Sequence, residues 1–271
     1  MNYFSPKSVA ERYAKGRPYF HPIIAGRIKE FLSLTEPLSS ALDVGCGTGL
    51  STVALKEIAR RVTGIDASAE MISLSSKENG IRYFVAPAEN LPFGENEFDL
   101  ITLSQAFHWL DRSKFLAEAY RVLRPGGWLV VYDNYFSGRM TENPEFHEWF
   151  KNYLEKYPSP PRAKIEFTAE NTKPYGFRLL KEEWFENAVG FSLEGLVDYL
   201  VTQSNVIARV EGGKEEIEEA RMWLMESIRI MFGNAKERKF LFNAPIWYLN
   251  APHNKSLDAR RNSYLLKNVG R

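Results

Sequence analysis

The chain has 271 residues, 44% of them apolar, which is enough for one large domain or a domain with an inserted cap and argues against disorder. With 35 basic and 34 acidic residues the formal charge is +1, so there is no electrostatic case for a nucleic-acid or membrane partner. A single cysteine, Cys46, excludes an intrachain disulfide and a cysteine zinc cluster, and no apolar run is long enough to predict a membrane span.

Residues 1–20 are polar and aromatic, with Tyr3, Phe4, Tyr13, Tyr19 and Phe20, and lack the apolar core of a signal peptide. A cytoplasmic location is expected by default. Pro18 and Pro22 predict little regular structure there. Tyr13, Arg17 and Pro18 form a Y-x-x-x-R-P pattern ahead of a helical segment at 21–34. The segment reads either as an arm packing its aromatics on the domain or as a flap over a ligand.

The stretch ALDVGCGTGL at 41–50 predicts a strand at 41–45, a tight turn, and a helix over 50–60. Gly45, Gly47 and Gly49 let the backbone bend and let a ligand reach the main chain. The helix start behind them offers unpaired N–H groups. The spacing is G-x-G-x-G with an acid, Asp43, two residues ahead, whereas the dinucleotide fingerprint is G-x-G-x-x-G. Cys46 has no visible general base and reads as a small side chain packed in the turn.

A second strand, 61–66, ends in Asp66, where a carboxylate suits the vicinal hydroxyls of a ribose. Asp66 could instead cap the helix expected at 69–78, but Ser68 competes for that cap. Strands at 81–86, 97–103 and 128–132 follow, with a helix at 113–123 and a turn at Arg124-Pro125-Gly126-Gly127. Alternating strands and helices predict an α/β, doubly wound, mostly parallel sheet with helices on both faces. Asp43–Gly49, Asp66, Ala88–Glu89 and Ser104–His108 all fall at carboxyl ends of strands, where such sheets bind ligands.

Beyond Asp133 the pattern turns helical and aromatic at 143–157, with Phe146, Trp149, Phe150, Tyr153 and Tyr157. A sixth strand is expected at 184–188, helices at 193–203 and 214–231, and a last strand at 245–250. This insertion reads as a cap supplying acceptor-binding groups or as an interaction surface. An aromatic stripe at helical spacing is more often core than ligand box. Arg139, Arg162, Arg178 and Arg209 could face an anionic acceptor but read as solvated surface charges. The tail, 252–271, is expected to be poorly ordered.

Six ordered motifs over 41–133, DVGCGTG, GID, PAENLPF, FDLITLSQAFHWL, EAYRVLRPGG and LVVYD, resemble the class I S-adenosylmethionine (SAM)-dependent methyltransferases of the type 11 branch. AENLPF and AFHWLD are similar to the trans-aconitate methyltransferase group. The resemblance implies a seven-stranded sheet whose last strand is antiparallel, with SAM as cofactor and S-adenosyl-L-homocysteine as product. It implies an N-terminal arm and helix at 1–35, a SAM-binding core at 36–134, a helical cap with the sixth strand at 135–240, the final strand at 241–251 and the tail. Cofactor contacts are implied from Tyr13, Arg17, Asp43, Gly45, Cys46, Gly47, Asp66, Ala67, Met71, Ala88, Glu89, Ser104 and Gln105. Many members carry an acid where this chain has Pro87, so the Ala88 backbone and the Glu89 side chain are left to read the adenine.

Methyl transfer from a sulfonium is an in-line displacement that needs no metal and no covalent intermediate. A base is required only for an acceptor that is still protonated. His108 is the candidate base or donor, with Trp109 beside it as acceptor-site wall. His108 could equally fix its loop. The expected function is methyl transfer to a small molecule, with carboxylate O-methylation as one candidate. The alternatives are a non-catalytic SAM sensor or partner subunit, and a nicotinamide enzyme, which the glycine spacing disfavours. No N-P-P-Y follows the fourth strand and no Pro-Cys nucleophile is present.

Overall fold

In the computed structural model, residues 6–161 and 166–252 are described. Tyr3, Phe4, Arg162 and the tail from 253 onward lie outside the described residues. The chain opens with α1 (Lys7–Gly16), a helix where the prolines predicted little order. Pro6 precedes its first turn and Pro18 follows its end, so neither interrupts an internal hydrogen bond. Pro22 sits in the first turn of α2 (His21–Phe31), where its missing N–H has no intrahelical partner to lose.

β1 (Leu38–Val44) is buried without a break from Ser40 to Val44, as expected of a strand covered on both faces. α3 (Leu50–Ala54) is shorter than the 50–60 expected, because a 3-10 turn, Leu55–Glu57, hands the chain to β2 (Ala59–Asp66). α4 (Ala69–Ser73) is also short, and β3 (Ile81–Val85), β4 (Phe98–Ser104) and α5 (Arg112–Val122) follow. β5 (Leu123–Tyr132) absorbs the expected turn as an irregularity: the register passes from Phe98↔Leu123 to Leu100↔Trp128, with Gly126 at φ 82°.

Next come β6 (Tyr135–Met140), α6 (Phe146–Lys156), α7 (Ala169–Thr172), β7 (Arg178–Phe191), α8 (Leu193–Leu200), α9 (Ser204–Val210), α10 (Ile217–Phe232) and β8 (Arg238–Asn250). β6 was not legible in the sequence. Gly138 bends it at φ 68°, and the ring of Phe150 occupies the space a Cβ would need. No helix among the described residues is long and apolar enough to cross a membrane.

The described chain forms two compact units. The larger takes residues 20–133, 166–183 and 245–252. Its strands run β3-β2-β1-β4-β5, all parallel, and residues 246–250 of β8 lie antiparallel to β5, as expected of the last strand. Its core includes Leu42, Val44, Ile101, Leu103, Phe115 and Val131, none more than 1% exposed. The smaller takes residues 6–19, 134–161 and 184–244, so the N-terminal 1–35 stretch contributes to both. There, residues 240–243 of β8 pair with β6, and α1 packs against α8. Phe146, Trp149, Tyr153 and Tyr157 of the aromatic stripe are all buried in this unit's own core, with Leu196, Leu224 and Phe240. Arg139 pairs with Glu186 and Arg209 with Glu215, so these cations have partners within the unit.

The FDL and RPGG motifs explain each other in the larger unit. Arg124 Nη1 donates to Asp99 at 2.6 Å, and the other Asp99 oxygen accepts the Ser40 N–H at 2.9 Å. This brace ties β1, β4 and β5 together at their amino ends, away from the glycine turn.

Candidate active site

The strand order places β1 between β2 and β4, so chain connections leave β1 in opposite directions on its two sides. Loops from the carboxyl ends of these strands open a crevice at that point. The first loop is the glycine turn. Gly45, Gly47 and Gly49 take φ of 66°, 55° and 87°, a region that side chains rarely adopt. The Cys46 N–H donates to Ile65 O, and Gly49 caps α3. A Cβ on Gly45 would stand 2.8 Å from Ala106 Cβ, so the loop after β4 touches the glycine turn.

Asp43, expected among the cofactor contacts, has another job. It is wholly buried, and its oxygens accept from Ser51 Oγ at 2.6 Å, Thr52 Oγ1 at 2.7 Å and Thr102 Oγ1 at 3.0 Å. Its side chain therefore joins β1, α3 and β4 and shapes the turn from beneath, because no oxygen of it faces solvent. Burial outweighs the three hydroxyls and pushes its pKa up to about 6.

An acid raised above its ordinary 3.8 stabilises the fold most in its protonated form, and that contribution is lost as pH rises through about 6. The stability of wild type relative to Asp43→Asn should fall by about 2 kcal/mol between about pH 4 and about pH 8. Denaturant unfolding of both proteins across that range measures it, and a pH-independent difference would contradict the assignment.

Asp66, half-buried, ends β2. Gly47 N–H donates to its Oδ2 and Ser68 N–H to its Oδ1, each at 2.9 Å. The carboxylate thus links the tip of β2 to the glycine turn. Burial raises its pKa against these bonds. Ser68 Oγ takes the helix cap by accepting the Met71 N–H, so Asp66 is not spent as a cap. Ala67 is exposed, and Met71 is 2% exposed. Cys46 is buried, and burial pushes its thiol pKa well up, which suits a packed side chain and not a nucleophile.

The loop after β3 forms the next wall. Ala88 is buried, and Glu89 Oε1 accepts the Asp111 N–H at 2.9 Å, fastening this loop to the start of α5. From the same helix, Glu118 accepts the Leu91 N–H, while Arg121 donates to Leu91 O and Phe93 O. PAENLPF is therefore held by EAYRVL, a pairing that sequence spacing does not reveal.

At the end of β4, Gln105 takes φ 53°, a strained value for a residue with a side chain, and its N–H donates to Tyr132 O. Ser104 lies opposite Tyr132 in the ladder. His108 follows in a 3-10 turn, half-buried, with its ring 4.8 Å from that of the exposed Trp109. The residues of the larger unit expected at the site thus converge on neighbouring strand tips. Tyr13 and Arg17 belong to the smaller unit. There Arg17 Nη2 donates to Thr202 O at 2.9 Å, and its guanidinium lies 4.4 Å from the Tyr13 ring centre. A buried His21–Tyr132 pair beside Ser104 was not expected from the sequence.

Residues 42–131 match the methyltransferase domain family. Over 235 residues the chain is 25% identical to a protein of Dictyostelium discoideum named as a methyltransferase, covering 84% of this chain and 88% of that one. It is 30% identical over 186 residues to an uncharacterized methyltransferase of Schizosaccharomyces pombe, covering 68% and 72%. Among solved structures, its fold is similar to that of a protein from Anaeromyxobacter dehalogenans described as a type II methyltransferase. The TM-score is 0.65 and the identity 23%, over 88% of this chain and 98% of that one, a likeness of fold alone.

Proposed function

Because the chain belongs to the SAM-dependent methyltransferases, we propose that this crevice serves methyl transfer to a small molecule, with a carboxylate oxygen as the accepting atom. The observation that carries this reading is the Asp66 carboxylate, half-buried at a strand tip and bonded to the N–H of Gly47. Its two oxygens keep acceptor capacity for two vicinal hydroxyls. Gly45, Gly47 and Gly49 carry no side chain of their own, so the main chain of the turn can be approached by a ligand.

These features fit SAM. Asp66, flanked by Ala67 and Met71, would take the ribose, Ala88 and Glu89 the adenine, and the Gly45–Gly47 main chain with Ser104 and Gln105 the methionine part. Tyr13 and Arg17 are proposed as carboxylate binders. SAM, when bound, supplies an electrophilic methyl carbon on a sulfonium. The residues around it position the acceptor, an effect worth up to about 7–11 kcal/mol in favourable model systems. A carboxylate is already ionised at neutral pH, so no proton has to move. His108 then serves as a hydrogen-bonding or loop-fixing group beside Trp109. The trans-aconitate methyltransferase group is the family branch this proposal favours.

Incubation with methyl-labelled SAM and a panel of carboxylates, hydroxyl compounds, amines and RNA tests the proposal. Label is expected on a carboxylate. Tight SAM binding with no transfer to any compound would indicate a sensor, and label on RNA alone would contradict a small-molecule acceptor.

A further inference from the structure

The loop after β3, residues 86–93, lies outside the sheet ladders, so its peptide groups need other partners. Its first residue is tied to β2: Ala86 N–H donates to Asp66 O at 3.0 Å, which starts the loop beside the proposed ribose acid. Pro87 O accepts the Asn90 N–H at 3.2 Å, which turns the chain. Leu91 then enters the core, and Phe93 packs edge-on to Phe98 with ring centres 5.0 Å apart.

Helix α5 holds the rest. Glu118 and Arg121 are three residues apart, so they share one face of that helix. Glu118 Oε2 accepts the Leu91 N–H at 2.8 Å, and Arg121 Nη2 donates to Leu91 O at 3.0 Å. Both main-chain polar groups of Leu91 are gripped, as a neighbouring strand would grip them. Arg121 Nη1 donates to Phe93 O at 2.7 Å. The two side chains also brace each other: Arg121 Nε and Nη2 donate to Glu118 Oε1 and Oε2, each at 2.7 Å. These bonds hold the Glu118 carboxyl below its ordinary range, so both partners are charged at neutral pH.

Such a clamp has a use beyond anchoring the loop. Pro87 offers a base neither an N–H nor a polar side chain. What remains at the start of the loop is the Ala88 main chain and the Glu89 carboxylate, one oxygen of which is spent on Asp111 N–H. A side chain can change rotamer to follow a ligand, but a peptide group points where its loop is held. Recognition through main chain needs placement to within about 0.5 Å, supplied by the residues behind it.

We propose that Glu118 and Arg121 are positioning residues for base recognition. By clamping Leu91 and Phe93 they hold the Ala88–Glu89 segment in register with the adenine edge of SAM, and so set the preference for adenine over its deaminated form. The proposal rests on the placing of adenine at Ala88–Glu89 given above. The pair acts through the loop and not by contact with the cofactor.

Adenine presents an amino donor beside a ring-nitrogen acceptor. Hypoxanthine presents the reverse, a keto acceptor beside an N–H donor. Calorimetry with S-adenosyl-L-homocysteine and S-inosyl-L-homocysteine therefore reads base recognition as a ratio of affinities. Wild type should prefer the adenosyl compound by more than about tenfold, from mismatched hydrogen bonds. In Arg121→Gln and Glu118→Ala the preference should shrink to about threefold or less, mostly through weaker adenosyl binding. Arg121→Lys should not restore it, because one ammonium cannot span two carbonyls and the carboxylate. Glu118→Gln, whose amide oxygen can still accept the Leu91 N–H, should give an intermediate ratio. Arg124→Gln, which breaks the brace at the amino ends of the strands, should lower the melting temperature and keep the full preference. An unchanged ratio in Arg121→Gln and Glu118→Ala would overturn the proposal, however far their melting temperatures fall. Equal shrinkage in Arg124→Gln would also overturn it, by making the effect one of stability alone. A wild type that binds both compounds alike would remove the adenine placement itself and the proposal with it, a result visible before any variant is made.

Discussion

Replacing Asp66 by alanine is expected to weaken SAM binding more than tenfold. Two losses combine. The ribose hydroxyls lose a charged acceptor, and hydrogen bonds to charged groups are worth about 1.5–3 kcal/mol each. The N–H groups of Gly47 and Ser68 also lose the oxygens that now hold them. The pKa of Asp66 separates function from stability. Burial raises it above 3.8, so its charged form costs the fold stability as pH rises. Asp66→Asn should fall between wild type and alanine, because its amide oxygen can still accept one backbone N–H. Calorimetric titration measures both variants, and unchanged affinity in Asp66→Ala would remove the ribose assignment.

Gly45→Val should abolish measurable SAM binding. The residue sits at φ 66°, where a β-branched side chain is strained by about 1–3 kcal/mol. Its new Cβ would also stand 2.8 Å from Ala106 Cβ, closer than such atoms come, and Ala106 has no flexible chain to move aside. The loops after β1 and β4 would have to part, and they form adjoining walls of the crevice. The melting temperature should fall by several degrees with the fold retained. Binding at wild-type affinity would show that the turn does not touch the cofactor.

Much of this was legible in the sequence because its signals are local. An apolar run, alternate glycines and an acid predict strand, turn and helix start without knowledge of distant residues. Ser68 took the cap of α4 as expected, since a serine competes well for a cap. Asp43 was misjudged for the opposite reason. Its partners, Ser51, Thr52 and Thr102, include one 59 residues away, and burial is set by the whole sheet. The clamp of Glu118 and Arg121 on the loop after β3 is likewise a long-range fact. Helix α3 came out short because β2 began sooner than expected, whereas α4 stopped at Ser73 in a turn and β3 began where expected. β6 escaped notice because its consecutive Ser137, Gly138 and Arg139 break the strand signal, and the α6 aromatics turned out to build their own unit's core. The His21–Tyr132 pair joins positions 111 residues apart, which no spacing rule would find.

A crystal structure of the protein with S-adenosyl-L-homocysteine is the most direct test of the central claim. Both ribose hydroxyls are expected within hydrogen-bond distance of the Asp66 carboxylate, with the amino-acid end lying along the main chain of Gly45–Gly47. The product bound elsewhere, or an Asp66 with no sugar contact, would contradict it.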